Sequence, residues 1–131
     1  MIRQLRTATV CLGLLLGLVA CGSTSLAPFQ PEVRNATDNF QLQATDVQDV
    51  STTLQYTWQN TGSVANVNHS TTTSVGSAQL VVASADGTIV YDHPLVPSLN
   101  ERTASGAPGA WTVRVVLVNY RGTLNFRLQR P

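Results

Sequence analysis

From Asp38 onward, apolar and polar residues trade places at every second position, and no stretch holds a 3.6-residue period for a dozen residues. Phe40, Leu42 and Ala44 alternate with Gln41, Gln43 and Thr45. Leu54, Tyr56 and Trp58 alternate with Thr53, Gln55, Thr57 and Gln59. Ala78, Leu80 and Val82 make a third run, and Thr88–Tyr91 a fourth. Trp111, Val113, Val115 and Leu117 alternate with Thr112 and Arg114, and Leu124, Phe126 and Leu128 with Asn125, Arg127 and Gln129. Side chains of a strand point alternately to its two faces, so each run predicts a half-buried strand. Weaker strands are predicted at Val64–Asn68 and Val96–Thr103.

The runs are separated by turn chemistry. Asp86-Gly87 between two apolar runs predicts a hairpin, because both residues tolerate positive φ. Tyr120-Arg121-Gly122 reads as a second turn. Asp46 and Asp49 read as carboxylates at the first strand-to-strand connection, where Asp accepts backbone hydrogen bonds. Ser63–Ser77, with five hydroxyl residues from Ser70 to Ser74, reads as an exposed edge or loop. Asp92–Gly109 carries Pro94, Pro97 and Pro108, which disfavour a central strand. Seven to eight short strands with one apolar face each cannot lie in a single open layer without wetting that face. Two packed layers bury it. The expected fold is all-β: a small antiparallel β-sandwich, immunoglobulin-like or jelly-roll-like, with a small closed barrel as the alternative.

The chain starts differently. Arg3 and Arg6 precede an apolar run, Ala8–Ala20. As helix that run spans about 20 Å, short of the roughly 30 Å of a bilayer core. A basic start, a short apolar stretch and small residues at its end predict a secretory signal peptide. Leu18-Val19-Ala20-Cys21, followed by Gly22-Ser23, resembles the lipobox of bacterial lipoproteins. The resemblance covers about the first 25 residues. It implies removal of residues 1–20, a diacylglycerol thioether on Cys21 and an acylated new N-terminus. It also implies a place in the cell envelope, anchored by lipid, at the outer membrane on its periplasmic side or at the surface. Several acyl chains on one residue hold far more firmly than one. Residues 21–37, with Gly, Ser, Thr and two Pro, read as a flexible tether, and 38–131 as the folded domain.

Composition narrows the function classes. Charged residues make up 11% of the 131, and the polar surface is neutral instead: 16 Thr, 10 Ser, 9 Gln and 8 Asn. All eight basic residues are Arg and the formal charge is +1, so no basic field exists to hold nucleic acid. Removing residues 1–20 takes two Arg and leaves a charge of −1. It also removes Cys11, so with Cys21 lipidated no disulfide forms. No Gly-x-Ser-x-Gly elbow, His-Glu-x-x-His helix or phosphate-cradling Gly loop occurs. Neither a catalytic residue nor a cofactor is expected. His69 and His93 each stand alone in loop-like sequence, so no metal ligand is assigned. A metal site would need them to converge with an acid such as Asp92. Phe40, Tyr56, Trp58, Trp111 and Phe126 share the phase of aliphatic neighbours and read as core, not as platforms for sugar rings.

One feature departs from strict alternation. Val115–Val118 is continuously apolar, and Leu80–Val82 and Ile89-Val90 repeat this on a smaller scale. If Val115 and Leu117 face the core, then Val116 and Val118 face outward, and Val81 and Val90 are placed with them. These four valines are the candidate interaction face for an envelope protein or a second copy of the chain. The functional expectation is a lipid-anchored, non-catalytic envelope protein that binds or scaffolds another envelope component. The alternative is a small-ligand module for a glycan or a metal ion.

Overall fold

The computed structural model describes Ser25–Pro131, and these residues are almost entirely strand. A single 3₁₀ turn, Ala27–Phe29, leads into β1 (Glu32–Ala36), β2 (Asn39–Asn60), β3 (Asn66–His69), β4 (Thr72–Ala83), β5 (Ile89–Pro94), β6 (Leu99–Arg102) and β7 (Gly109–Gln129). Every pairing is antiparallel. Among the described residues no helix is long and apolar enough to cross a membrane.

The sandwich is built from one continuous sheet rather than two separate ones. β2 and β7 run antiparallel to each other along nearly their whole lengths, and each contributes to both layers. In the first layer Asn39–Ala44 of β2 pairs with Leu124–Gln129 of β7, flanked by β1 on one side and by β3 and β6 on the other. In the second layer Thr52–Asn60 of β2 pairs with Gly109–Leu117 of β7, which is flanked in turn by β4 and β5. The layers fold onto each other, so Phe40, Leu42, Phe126 and Leu128 meet Trp58, Trp111, Leu80 and Val113 in one core. Trp58 and Trp111 are cross-strand partners with rings edge to face at 5.9 Å, both fully buried. Each indole N–H is satisfied by a carbonyl, Trp58 by Ala36 and Trp111 by Ala107.

The folding-over happens at one level in three strands. β2 carries register shifts between Ala44 and Thr52, with Asp46 and Asp49 in the left-handed region at φ 54° and 55°. Its buried residues there are Ala44, Val47 and Val50, so the period is three instead of two. Each bulge adds a residue and turns the next side chain back to the core. Opposite, β7 holds Asn119 at φ 46° and Gly122 at φ 154°. β4 shifts register between Thr73 and Ser77 and holds Gly76 at φ 76°. The strands press together here. A Cβ on Gly122 would lie 2.1 Å from the Thr72 carbonyl oxygen, and one on Gly76 would lie 2.2 Å from those of Val118 and Asn119. Tyr120, fully buried, donates its hydroxyl to Thr72 O at 2.7 Å inside the bend.

Three local expectations change accordingly. Tyr120-Arg121-Gly122 is not a turn but the bend of an unbroken strand. Asp46 and Asp49 do not join two strands; they occupy bulges, where a short polar side chain tolerates positive φ. Asp49 also binds Arg121 across the bend, at 3.0 Å. The segment read as tether is structured from Ser25: Leu26 is buried, Phe29 packs on the core, and β1 pairs with β2 through Glu32–Ala36. β1 has no buried residue, so no apolar alternation marks it in the sequence. Backbone pairing holds it, joined by the Asn35 side-chain amide, which donates to Thr57 O at 2.9 Å.

Candidate functional site

The two layers meet along a rim where β5, the edge of one layer, comes against β3 and β6, the edge of the other. The connection from β5 to β6 is short, and it lays Thr71 N–H onto Val96 O and Leu95 N–H onto Ala78 O, at 2.9 and 2.8 Å. β3 pairs with β6, putting Glu101 opposite Val67 on the inward side, two residues from His69. On β5, Tyr91 and His93 are two apart and therefore point the same way. Four side chains from three strands converge: His69, Tyr91, His93 and Glu101.

Their hydrogen bonds orient one another. The Val96 N–H points at His69 Nδ1, 3.3 Å away. The proton of this ring is therefore on Nε2, which donates to the Tyr91 hydroxyl at 2.8 Å. Tyr91 in turn donates to Glu101 Oε1 in a short hydrogen bond. His93 Nδ1 lies 2.6 Å from Pro94 O, an acceptor only, so that nitrogen carries a proton. The other ring nitrogen, His93 Nε2, lies 3.9 Å from Glu101 Oε1. The imidazole rings stand edge to face at 5.5 Å, and Tyr91 stacks on His93 at 5.9 Å.

Burial is graded across the group. His69 and Tyr91 are buried, while the side chains of His93 and Glu101 are 38% and 37% exposed. Burial, with the nearby His93 imidazole adding to it, lowers the His69 pKa below the ordinary histidine value, so His69 is neutral at neutral pH. Tyr91 is pushed well above the ordinary phenol value, first by burial and then by Glu101, and stays a hydroxyl. The arrangement offers two imidazoles and a carboxylate whose ligating atoms all lie within 4.8 Å of one another. That is a donor set for a borderline divalent metal ion.

The sequence reading placed the two histidines apart and named Asp92 as the acid they would need. Asp92 instead lies outside, taking a hydrogen bond from Gln79 at 2.6 Å. The acid that meets them is Glu101, ten residues after Tyr91 and opposite Val67. The local signal is the Tyr91-x-His93 spacing, which runs two residues past the predicted strand end at Tyr91. The approach of β6 has no local signal.

The candidate valine face is also placed. Val81 and Val116 are half-buried and Val118 is 49% exposed on the outer side of the second layer. Val90 does not join them; it is in the core. A register shift between Val82 and Ala83 leaves Val90 as an extra residue between Ile89 and Tyr91. The bulge turns both Val90 and Tyr91 inward and leaves Ile89 outside, 53% exposed. The outer surface is broken by polar residues. Arg114 lies opposite Val81 and binds Gln55 at 3.3 Å, and Gln79 and Thr53 flank Val116. A shallow depression of about 260 Å³ lies among Val81, Ala83, Ile89, Thr112 and Arg114. Cys21 and the signal segment 1–20 lie outside the described residues.

Neither a protein-family model nor a curated protein matches the chain.

Proposed function

We propose that the protein is a lipid-anchored, non-catalytic component of the bacterial cell envelope whose β-sandwich binds or scaffolds another envelope component. The observation that carries this reading is Leu18-Val19-Ala20-Cys21 at the end of a short apolar run. The fold adds a spatial argument. Leu26 is already buried in the domain, five residues after Cys21. Five residues reach at most about 18 Å, so a lipid on Cys21 holds the sandwich close against the bilayer. Partners in or on the same membrane then meet it at high local concentration. The acids support the non-catalytic part. Asp38, Asp49, Asp86 and Asp92 each hold a structural neighbour: Thr61, Arg121, Ser84 and Gln79.

The test is Cys21→Ser in the full chain, followed by fractionation and by pull-down from cross-linked envelope. The variant is expected uncleaved or soluble, with its partner lost. Retention on salt-washed membranes would refute the anchor.

A second reading, a small-ligand module, has one observation in its favour: the convergence of His69, His93 and Glu101. It favours the metal-ion form of that reading over the glycan form. Of the aromatic residues expected in the core, Phe40, Trp58, Trp111 and Phe126 are fully buried and Tyr56 packs against them.

A further inference from the structure

We propose that His69, His93 and Glu101 bind a borderline divalent transition-metal ion, for which Zn²⁺ is the probe. The proposal rests on the small-ligand reading above and not on membrane attachment.

Three features make this a site rather than a chance meeting. The first is donor chemistry: two imidazole nitrogens and a carboxylate oxygen, the set that holds Zn²⁺ at about 2.0–2.2 Å and leaves a position for water. The second is fit. Tetrahedral donors at such bond lengths lie about 3.4 Å apart, and His93 Nε2 and Glu101 Oε1 are already 3.9 Å apart. No two donor atoms of the group lie more than 4.8 Å apart, so modest closure suffices. The two partly exposed side chains can supply it by turning toward the fixed, buried His69. The third is orientation. The Pro94 carbonyl holds the His93 Nδ1 proton and aims Nε2 into the group. A backbone carbonyl on the far nitrogen is the usual support of a metal-ligating histidine.

Tyr91 is the latch of the site. Its hydroxyl bridges His69 Nε2 and Glu101, the two atoms an ion would take. On binding, the ion replaces that bridge. The His69 ring proton leaves Nε2 and a proton is taken up at Nδ1, exchanged through solvent, so the ring remains neutral. The cost is the long Val96 N–H bond to Nδ1. Tyr91 keeps its proton. The position at the meeting of β5 with β3 and β6 means that the ion would tie the edge of one layer to the edge of the other.

The experiment uses the full lipid-modified chain, purified in detergent and stripped with a chelator. It is titrated with Zn²⁺ by calorimetry and with Co²⁺ by visible absorption. The expected result is one ion per chain, a tetrahedral Co²⁺ spectrum, and affinity lowered about tenfold or more by His93→Ala and by Glu101→Gln. Both substitutions are at the exposed rim, and urea denaturation confirms that the variants are folded. Nitrogen-15 NMR of the Zn²⁺-loaded chain is expected to show His69 protonated at Nδ1. No saturable binding by the wild-type chain would overturn both the site and the metal-ion form of the small-ligand reading. Saturable binding that both variants retain unchanged would overturn this site and leave that reading standing. A His69 still protonated at Nε2 in the loaded chain would remove it from the ligand set and overturn the proposal.

Discussion

Asp86-Gly87 and Tyr120-Arg121-Gly122 carry the same outward sign of a turn, a glycine between two apolar runs, yet only the first reverses the chain. After Ala83 the strand ends, the Gly87 N–H closes onto Ser84 O at 2.9 Å, and β5 returns alongside β4. Gly87, at φ 87°, has open space where a Cβ would be. At Gly122 the chain stays in β7 and bends from one layer into the other, with the backbone of β4 2.1 Å from the position of an absent Cβ. One glycine serves a local conformation. The other serves a contact with a strand some fifty residues away, through Thr72. Both places hold a glycine followed by threonine; what differs is whether the flanking runs pair with each other or with a third strand.

The difference is open to measurement, and the glycines separate most widely. Gly122→Ala, and likewise Gly76→Ala, forces a methyl group into a neighbouring backbone. A loss of at least about 4 kcal/mol is expected, most of the stability of a domain at the low end of about 5–15 kcal/mol. Gly87→Ala meets no atom and bears only the left-handed strain, about 1–2 kcal/mol. Urea denaturation of the three variants decides the matter, and equal losses at Gly87 and Gly122 would erase the distinction drawn here.

The bulge next to the real hairpin gives the next contrast. Val90→Thr places a hydroxyl in the core and is expected to cost about 1–3 kcal/mol. Val116→Thr and Val118→Thr face outward and should each stay within about 0.5 kcal/mol. A Val90→Thr variant as stable as wild type would move Val90 back to the outer face. If the double Val116→Thr, Val118→Thr variant keeps its stability but loses its partner in an envelope pull-down, the outer valines are an interaction face. Unchanged association would leave them as strand formers.

The bend in β2 predicts a smaller effect. Asp46, at φ 54°, should accept Gly within about 0.5 kcal/mol, whereas Asp46→Val puts a β-branched side chain at positive φ and should lose about 1–2 kcal/mol. An ordinary extended strand at this position would give the opposite order.

The smallest effect belongs to the hairpin and depends on pH. The Ser84 hydroxyl, joined by the Thr88 backbone N–H and hydroxyl, holds the Asp86 carboxyl at about 2, below its ordinary 3.8. A lowered folded-state pKa means that the ionised form is the one stabilised by folding. The contribution is complete above about pH 3.8 and fades as pH falls toward 2. Asp86→Asn should therefore flatten the acid limb of the stability profile between those values. An unchanged limb would show that the carboxylate contributes nothing to the turn.

Much of this was legible along the chain. The alternation in Leu54–Trp58, Ala78–Val82, Trp111–Leu117 and Leu124–Leu128 marks which side chains are buried, and the structure buries or half-buries each of them. The weak runs at Val64–Asn68 and Val96–Thr103 correspond to β3 and β6. What misled was any step that needed a count to stay in phase. Strict alternation puts Val90 outward, and one added residue inverts it. At Asp46 and Asp49 the period breaks, and a bulge breaks it as a loop does. β1 carries no alternation because an edge strand held mainly by backbone pairing needs no buried side chain.

The histidine group marks the division most clearly. Period, turn chemistry and the apolar character of each face are local quantities, set by neighbours two to four residues away, so the all-β class and the two-tryptophan core could be read from the residues in order. Which strand lies beside which is set by pairing across the whole chain. His69, Tyr91, His93 and Glu101 come together because β2, β4 and β7 bend at one level and bring the edge of one layer over the edge of the other. That bend depends on close backbone approach at Gly76 and Gly122, a contact between residues distant in sequence that no local pattern encodes.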